Sequence, residues 1–149
     1  MLVIRFTYQG DDYSLAREIV STRLCESIST IIALPNEIEI RFANLGKSVY
    51  GAASLEHRFK NRIAINNTLT VREIPEVLVH ELIHLHQIHI GLLSVSRTGI
   101  YSWKNKQYKI NNPKTMTIEN HNQLPWEVDV AIKQQTVLSA ALAHATKNK

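Results

Sequence analysis

Residues His80–His84 read His-Glu-Leu-Ile-His, which is the pattern HExxH. On a helix each residue advances about 100°, so His80 and His84 lie roughly 40° apart on one face, one turn from each other. Two imidazoles in that relation can bind one metal ion, and Glu81 lies beside them, where it can take a proton from a metal-bound water. The pattern therefore indicates a metal site in which Glu81 can act as a general base. The alternative is a buried helix whose two histidines hydrogen-bond to core partners.

The flanking residues predict that this pattern lies on a buried central helix. Thr70–Glu73 matches the capping-box pattern S/T-x-x-E, and Pro75 suits a first helical turn, so we expect the helix to begin between Thr70 and Pro75. We expect the helix to end near Gly91, since glycine is common just after the last residue of a helix. Apolar residues occur on almost every side of the predicted helix: Val77, Leu78, Val79, Leu82, Ile83, Leu85 and Ile88.

A catalytic zinc site needs a third protein ligand, with water in the fourth position. In the last predicted helix, from Pro125 to about Ala145, Glu127 projects from the middle of the apolar face, whereas Asp129 falls beside Lys133 on the polar face. An ionised carboxylate on a buried face is costly unless it is paired or bound to a metal, so Glu127 is the predicted third ligand. A nearby arginine and the helix dipole are the alternative partners for Glu127. The downstream candidates for the third ligand are Glu119, His121, Glu127, Asp129 and His144.

The first part of the chain predicts a strand, a helix and a second strand. Residues 2–8 and 37–43 alternate apolar and polar side chains, as strands do. An amphipathic helix is expected between them, from about Ser14 to Ala33, and Asp11 or Asp12 can cap it.

Two further strands and a hairpin are predicted around the central helix. Val49–Leu55 and Arg62–Asn66 are strand candidates, and the short links suggest that they form an antiparallel meander with the strand at 37–43. Tyr101–Ile110 resembles a hairpin in which Asn105 can take the positive φ of a tight turn. The polar stretch Asn111–Gln123 is expected to be a loop. Together these elements predict one α+β domain spanning residues 1–149.

Composition narrows the class of protein. The chain has 149 residues, 44% of them hydrophobic and 20% charged, as in globular domains. Its apolar runs are too short to predict a transmembrane helix, and the start shows no secretory signal.

Cys25 is the single cysteine, which excludes an internal disulfide and suits a reducing compartment, so we expect a cytoplasmic protein. The net charge of +4 is dispersed, which favours a solvated surface over a nucleic-acid site.

Three segments carry a resemblance to a known family: Val79–His84, Trp103–Tyr108 and Leu124–Asp129. The order of helix, strands, HExxH helix, hairpin and glutamate-bearing helix resembles the zincin metallopeptidases. More narrowly, it is similar to the gluzincins, whose third ligand is a downstream glutamate. The three segments also resemble small metallopeptidase-like proteins of phage and prophage genomes.

The resemblance implies a minimal zincin-like α+β fold, in which an antiparallel sheet packs on the central HExxH helix between N-terminal and C-terminal helices. It implies one Zn²⁺ per chain, bound by His80, His84 and Glu127. It also implies hydrolysis of a peptide or protein substrate with Glu81 as general base. If the protein is phage-encoded, the cytoplasm of the bacterial host is the expected location.

Such enzymes usually carry a further hydrogen-bond donor for the oxyanion of the transition state. Tyr101, Tyr108 and His121 are the candidates, and the sequence does not choose among them. A strand before the metal helix, Val49–Leu55 or Arg62–Asn66, is expected to pair with an extended substrate by edge addition.

Two other functions are consistent with the sequence. The first is a binding protein that kept the fold, and with it the metal, and acts on a host or phage partner by contact. The intact Glu81 argues against this function, since a structural metal has no need of a base. The second is a nucleic-acid-associated protease or binder, which the net charge allows but no recognition motif supports.

Overall fold

The computed structural model describes residues 2–11, 13–55, 60–110 and 116–147, the last three of these by their backbone alone. Helices and strands alternate irregularly in this part of the chain and form two sheets, so the fold is α+β as predicted. In chain order the elements are β1 (Val3–Tyr8), α1 (Leu15–Ser29), β2 (Glu37–Ala43), β3 (Gly51–Ala53), β4 (Arg62–Asn66), α2 (Ile74–His89), β5 (Leu93–Val95), β6 (Ile100–Trp103), β7 (Lys106–Lys109), α3 (Ile118–Asn122) and α4 (Pro125–Lys147).

The larger sheet is mixed, so the predicted antiparallel sheet is wrong here. Its strand order is β1-β2-β4-β3, with β1, β2 and β4 parallel and β3 antiparallel to β4. The chain does reverse direction from β2 to β3 and again to β4, as a meander does, but β4 lies between the other two strands. Burial explains this order: Ile63 and Ile65 of β4 are fully buried, whereas the small residues Gly51–Ala53 form the edge.

The smaller sheet contains the predicted hairpin. β6 pairs with β7, and β5 adds on the other side of β6, all antiparallel. Lys104 and Asn105 join β6 to β7 with φ values of 50° and 69°. Two successive positive φ angles are what a two-residue hairpin turn of the primed type requires, so the predicted hairpin and the role of Asn105 are confirmed.

Helix α1 starts one residue after its predicted beginning, but its cap differs from the prediction. The side chain of Ser14 accepts a hydrogen bond from the backbone N–H of Arg17 at 3.3 Å, which makes Ser14 the N-cap. Asp11 therefore does not cap the helix, and Asp12 lies outside the described residues. The helix also ends four residues before Ala33.

Helix α2 is the central helix of the molecule, as the sequence predicts. It contacts α1, α4, β3 and β4, and its residues Leu78, Val79, Leu82 and Ile83 are buried. It begins at Ile74, inside the predicted range, but the predicted capping segment Thr70–Glu73 does not cap it: Glu73 is the N-cap, and its side chain makes no capping hydrogen bond. Within that segment the Glu73 carboxylate accepts hydrogen bonds from the backbone N–H and the hydroxyl of Thr70, both at 2.9 Å. Gly91, with φ +82°, comes just after the end of the helix.

Two helices, α3 and α4, follow the smaller sheet, and α4 packs against α2. Residues 111–115 of the predicted loop lie outside the described residues, and the remainder of that loop contains α3. Thr117 caps α3 by accepting a hydrogen bond from the N–H of Asn120, a signal that the polar composition of the segment concealed. Helix α4 begins at Pro125, as predicted, and packs along α1 and α2. Within the described ranges, none of the helices combines the length and the apolar character that crossing a membrane requires.

Candidate metal centre

Three side chains from two helices converge at one point. His80 and His84 project from α2, and Glu127 projects from the first turn of α4. Nε2 of His80 lies 3.2 Å from Oε1 of Glu127, and Nε2 of His84 lies 2.9 Å from Oε2. A tetrahedral zinc ion with bonds of about 2.1 Å separates its ligand atoms by about 3.4 Å. The structure thus brings the three predicted ligands together, with both histidine–glutamate separations slightly below that distance.

Glu127 is buried because it lies on the face of α4 that packs against α2. Its side chain is 7% exposed, and Val130, one turn further on, is fully buried. Asp129 pairs with Lys133 at 3.0 Å, but its side chain is only 18% exposed and also accepts a hydrogen bond from the buried Gln87 of α2 at 2.9 Å. The predicted burial of Glu127 is confirmed, whereas Asp129 lies at the edge of the α2–α4 interface and not on the polar face.

Both imidazoles use their second nitrogen to contact a glutamine side chain. Nδ1 of His84 lies 2.9 Å from Oε1 of Gln87, and Nδ1 of His80 lies 3.1 Å from Oε1 of Gln134. Because an amide oxygen only accepts hydrogen bonds, each Nδ1 must carry the proton. The Nε2 of each neutral imidazole, which faces Glu127, is therefore unprotonated, and this is the form of the nitrogen that can bind a metal.

The orientation of each glutamine amide is fixed by its other contacts. Nε2 of Gln87 donates to the carbonyl oxygen of Trp126 at 3.0 Å and to Oδ2 of Asp129 at 2.9 Å. Nε2 of Gln134 donates to the carbonyl oxygen of Glu76 at 3.1 Å. A flipped amide would place oxygen against these acceptors, so the assignment of oxygen to the histidine side is set by the network.

These hydrogen bonds direct two nitrogen lone pairs at a carboxylate that is itself an acceptor. The arrangement is favourable only if both imidazoles are protonated or a cation lies between the three groups. In the absence of a cation, burial opposes protonation of His84. The hydrogen bonds with Glu127 and Gln87 and the negative charges of Glu127 and Glu81 together outweigh burial and raise the pKa of His84. The pKa of His80 is raised in the same way, with Gln134 in place of Gln87. Burial likewise opposes ionisation of Glu127, but the hydrogen bonds from His80 and His84 lower its pKa to about 2. A divalent cation satisfies the same three groups without protons, so the donor set fits a metal.

Glu81 lies beside the three converging side chains, on the side of β3. It is 6% exposed and accepts a hydrogen bond from the backbone N–H of Ala53. Burial raises its pKa, although His84 and His80 act in the opposite direction. One ligand atom each of His80, Glu81 and His84 lie within 4.8 Å of one another, so distance alone would also allow Glu81 as a ligand. The direct contacts of Glu127 with both Nε2 atoms favour Glu127 instead.

Gly51 allows the edge strand β3 to approach helix α2 closely. A Cβ at this position would lie 2.8 Å from Cγ1 of Val77 and 3.1 Å from Cγ of Glu81. A distance below 3.0 Å forces a neighbour to move, and a valine in a helix has little rotamer freedom. The absence of a side chain at Gly51 therefore permits the position of Glu81 beneath β3.

A cleft crosses the molecule over these residues. One part has a volume of about 290 Å³ and the other about 440 Å³, and both are lined by Gly51, His80, Glu81 and His121. The first part is also lined by apolar side chains from several elements: Leu55, Ile88, Leu93, Tyr101, Leu124 and Trp126. The candidate metal centre is thus accessible from an open groove with one partly apolar wall.

The three candidate hydrogen-bond donors differ in their positions. Nε2 of His121, on α3, lies 3.7 Å from Oε2 of Glu127, and its side chain is 52% exposed. Tyr101 lines the cleft and stacks on Trp126, with ring centroids 5.4 Å apart. Tyr108 contacts the ring of Trp126 edge-on at 5.8 Å and is not among the residues that line the described cleft. His121 and Tyr101 are therefore better placed than Tyr108.

Sequence reasoning missed Gln87, Gln134 and Gly51. Gln87 comes three residues after His84, and Gln134 comes seven residues after Glu127, so each lies on the same helix face as the predicted ligand. The two glutamines could have been predicted from that spacing. The role of Gly51 could not be predicted from the sequence, since it depends on how closely β3 packs on α2.

Comparison of the chain with protein-family models, with curated proteins and with solved structures gave no match. The function of the protein must therefore be inferred from the arrangement of the site itself.

Proposed function

We propose that this protein is a zinc-dependent metallopeptidase. The observation that carries the proposal is the convergence of Nε2 of His80 and Nε2 of His84 on Glu127, with Glu81 buried beside them in an open cleft. A metal that served only to hold the fold would need no acidic side chain next to its ligands and no access from solvent.

The donor set supports zinc as the metal. Two imidazole nitrogens and one carboxylate suit zinc better than magnesium or calcium, which prefer oxygen ligands alone. Three protein ligands leave one tetrahedral position, as in catalytic rather than structural sites. Zinc in this site would supply a Lewis acid that polarises the scissile carbonyl and lowers the pKa of water.

Glu81 is the proposed general base. Its carboxylate takes a proton from the attacking water and later delivers that proton to the leaving amine. The backbone N–H of Ala53 donates to this buried carboxylate and fixes its orientation. His121 and Tyr101 are the proposed donors to the oxyanion that develops on the substrate carbonyl.

The proposed substrate is a peptide or protein in extended conformation. β3 forms the edge of the larger sheet and lines the cleft with Gly51, Ala52 and Ala53, whose small side chains leave room for a second backbone. An extended segment can pair with such an edge through main-chain hydrogen bonds. The buried free thiol of Cys25 suits a reducing compartment, and we propose that the protein acts in the cytoplasm.

The experiment that tests this function is cleavage of a peptide library by the zinc-loaded protein, read by mass spectrometry. The wild type is expected to generate new termini, and Glu81→Gln to reduce the rate by about 100-fold or more while keeping its zinc. Glu26→Gln, an exposed glutamate of α1, is the matched control and should behave as wild type. If zinc-loaded wild type cleaves neither peptides nor folded proteins, or Glu81→Gln cleaves as fast, the proposed activity is wrong.

A further inference from the structure

Each proposed histidine ligand is connected to the opposite helix through one glutamine. Gln87, on α2, accepts from Nδ1 of His84 and donates to the carbonyl oxygen of Trp126 on α4. Gln134, on α4, accepts from Nδ1 of His80 and donates to the carbonyl oxygen of Glu76 on α2. The two amides therefore cross the α2–α4 interface in opposite directions, one at each histidine.

Gln87 is the more constrained of the two glutamines. It is fully buried, and its three hydrogen bonds use both the oxygen and the nitrogen of the amide. Trp126 immediately precedes Glu127, so one buried amide contacts both the imidazole of His84 and the backbone next to the carboxylate ligand. Any shift of α4 along α2 that separated Glu127 from His84 would break these bonds.

Asp129 anchors the amide of Gln87 from the solvent side. Its Oδ2 accepts from Gln87 at 2.9 Å and from Nζ of Lys133 at 3.1 Å. The carboxylate is only partly exposed and is held in place by the lysine one turn further on. The chain of contacts therefore runs from His84 through Gln87 and Asp129 to Lys133.

We propose that Gln87 and Gln134 are positioning residues that fix Nε2 as the ligand atom of each histidine and align His80, His84 and Glu127 across the α2–α4 interface before the metal binds. This inference rests on the metal site of the proposed function. A neutral imidazole otherwise populates two tautomers and rotates about its χ angles, and each unproductive state lowers the metal affinity. Outer hydrogen-bond partners of this kind typically change the affinity by about 10–100-fold.

Zinc affinity, measured by competition with a chromophoric chelator, tests the proposal. Gln87→Met and Gln134→Met keep the side-chain length but remove the acceptor, and each is expected to raise the dissociation constant roughly 10–100-fold. Gln134→Glu keeps an acceptor for Nδ1 of His80 but loses the donor to the carbonyl oxygen of Glu76, so its affinity should fall between those of wild type and Gln134→Met. Gln135→Met, at the exposed neighbouring glutamine, is the matched control and should not change the affinity.

A spectroscopic measurement separates positioning from a merely structural role. Long-range ¹⁵N–¹H correlation spectra of the zinc-loaded wild type should show His80 and His84 protonated at Nδ1 and coordinated through Nε2. Gln134→Met should show a second form of His80, while its helix content and its unfolding in chelator match wild type. This variant keeps the test valid if the more buried Gln87→Met fails to fold.

Two failures are distinguishable. Wild type that binds zinc no more tightly than either methionine variant, or through Nδ1, contradicts the role of the glutamines and leaves the metal site standing. Wild type that binds no zinc at all contradicts the proposed function, and the inference is wrong with it.

Discussion

Nε2 of His84 lies 2.9 Å from Oε2 of Glu127, and this contact joins helices α2 and α4 across 43 residues of sequence. Since Nδ1 of the imidazole already donates to Gln87, the two facing atoms attract each other only through a proton or a cation. Whether this contact is attractive or repulsive therefore depends on whether a proton or a cation lies between the two atoms.

Zinc should therefore stabilise the fold. At a free zinc concentration 100 times the dissociation constant, the free energy of unfolding should rise by about 2.7 kcal/mol, and the melting temperature should rise by several degrees. Differential scanning calorimetry with and without chelator measures this change. Glu127→Ala should lose the zinc-dependent shift, whereas Glu119→Ala, an exposed acidic residue of α3, should keep it. Equal melting temperatures of wild type with zinc and with chelator would contradict a zinc site.

His121 is expected to contribute to the chemical step rather than to metal binding. Its side chain is half exposed and lies 3.7 Å from Glu127, so it can turn toward a substrate carbonyl. His121→Ala should lower kcat by about 100–1,000-fold, the loss typical of one oxyanion donor, with KM and zinc content unchanged. Steady-state kinetics on a cleaved peptide from the library measure both constants. Tyr101→Phe and Tyr108→Phe are the comparison variants, and a loss of this size in Tyr101→Phe alone would transfer the role to Tyr101.

Gly51→Ala should disturb the base without removing the metal ligands. The added methyl would lie 2.8 Å from Cγ1 of Val77 and 3.1 Å from Cγ of Glu81, so β3 or Val77 must move and Glu81 must give way slightly. We expect a loss of about 1–3 kcal/mol in the free energy of unfolding, as for other overpacked sites, and a lower kcat with zinc still bound.

The second substitution Val77→Ala provides the control for that clash. It removes the atom at 2.8 Å, so the double variant should recover part of the stability that Gly51→Ala loses relative to Val77→Ala alone. Ala52→Ser, at the exposed neighbouring position of β3, should have little effect. Urea unfolding measures all four variants. Additive losses in the double variant would contradict the close contact between β3 and Val77 of α2.

Much of the fold and of the site was predictable because the signals are local. The HExxH spacing, the turn at Lys104 and Asn105, and the face that Glu127 shares with apolar residues of α4 each depend on a few neighbouring positions. The order of the larger sheet was not predictable in this way, since β4 is placed between β2 and β3 by competition for burial. The contacts of Gln87 and Gln134 exist only once α2 and α4 have packed together.

Cys25 should be almost inert in the native protein. It is fully buried, and burial raises the pKa of its thiol from 9.0 to about 12. At pH 8 this lowers the thiolate fraction roughly 1,000-fold, and the thiolate is the reactive form. An aromatic disulfide reagent should therefore label the chain slowly in buffer and fully in denaturant, a difference that absorbance measures directly. Rapid labelling in buffer would contradict the burial of α1 against the core.

The raised pKa of Cys25 also predicts that the free energy of unfolding decreases at high pH. The folded state holds the proton of Cys25 above the pH at which the unfolded chain releases it. Its contribution is fully present below pH 9.0 and is lost as the pH rises toward about 12. Cys25→Ala should remove this part of the alkaline loss of stability, which urea unfolding at a series of pH values detects. An unchanged pH dependence in Cys25→Ala would contradict the assignment.

The proposed metal site is tested most directly by the metal content of the purified protein. Elemental analysis should find about one zinc per chain in wild type and in Glu81→Gln, and a large loss in Glu127→Ala and in His84→Ala. That pattern would establish three ligands and a separate acidic residue beside them. If well-folded wild type that has never met a chelator contains no zinc and takes up none, His80 and His84 donate protons to Glu127 instead, and the metallopeptidase proposal is wrong.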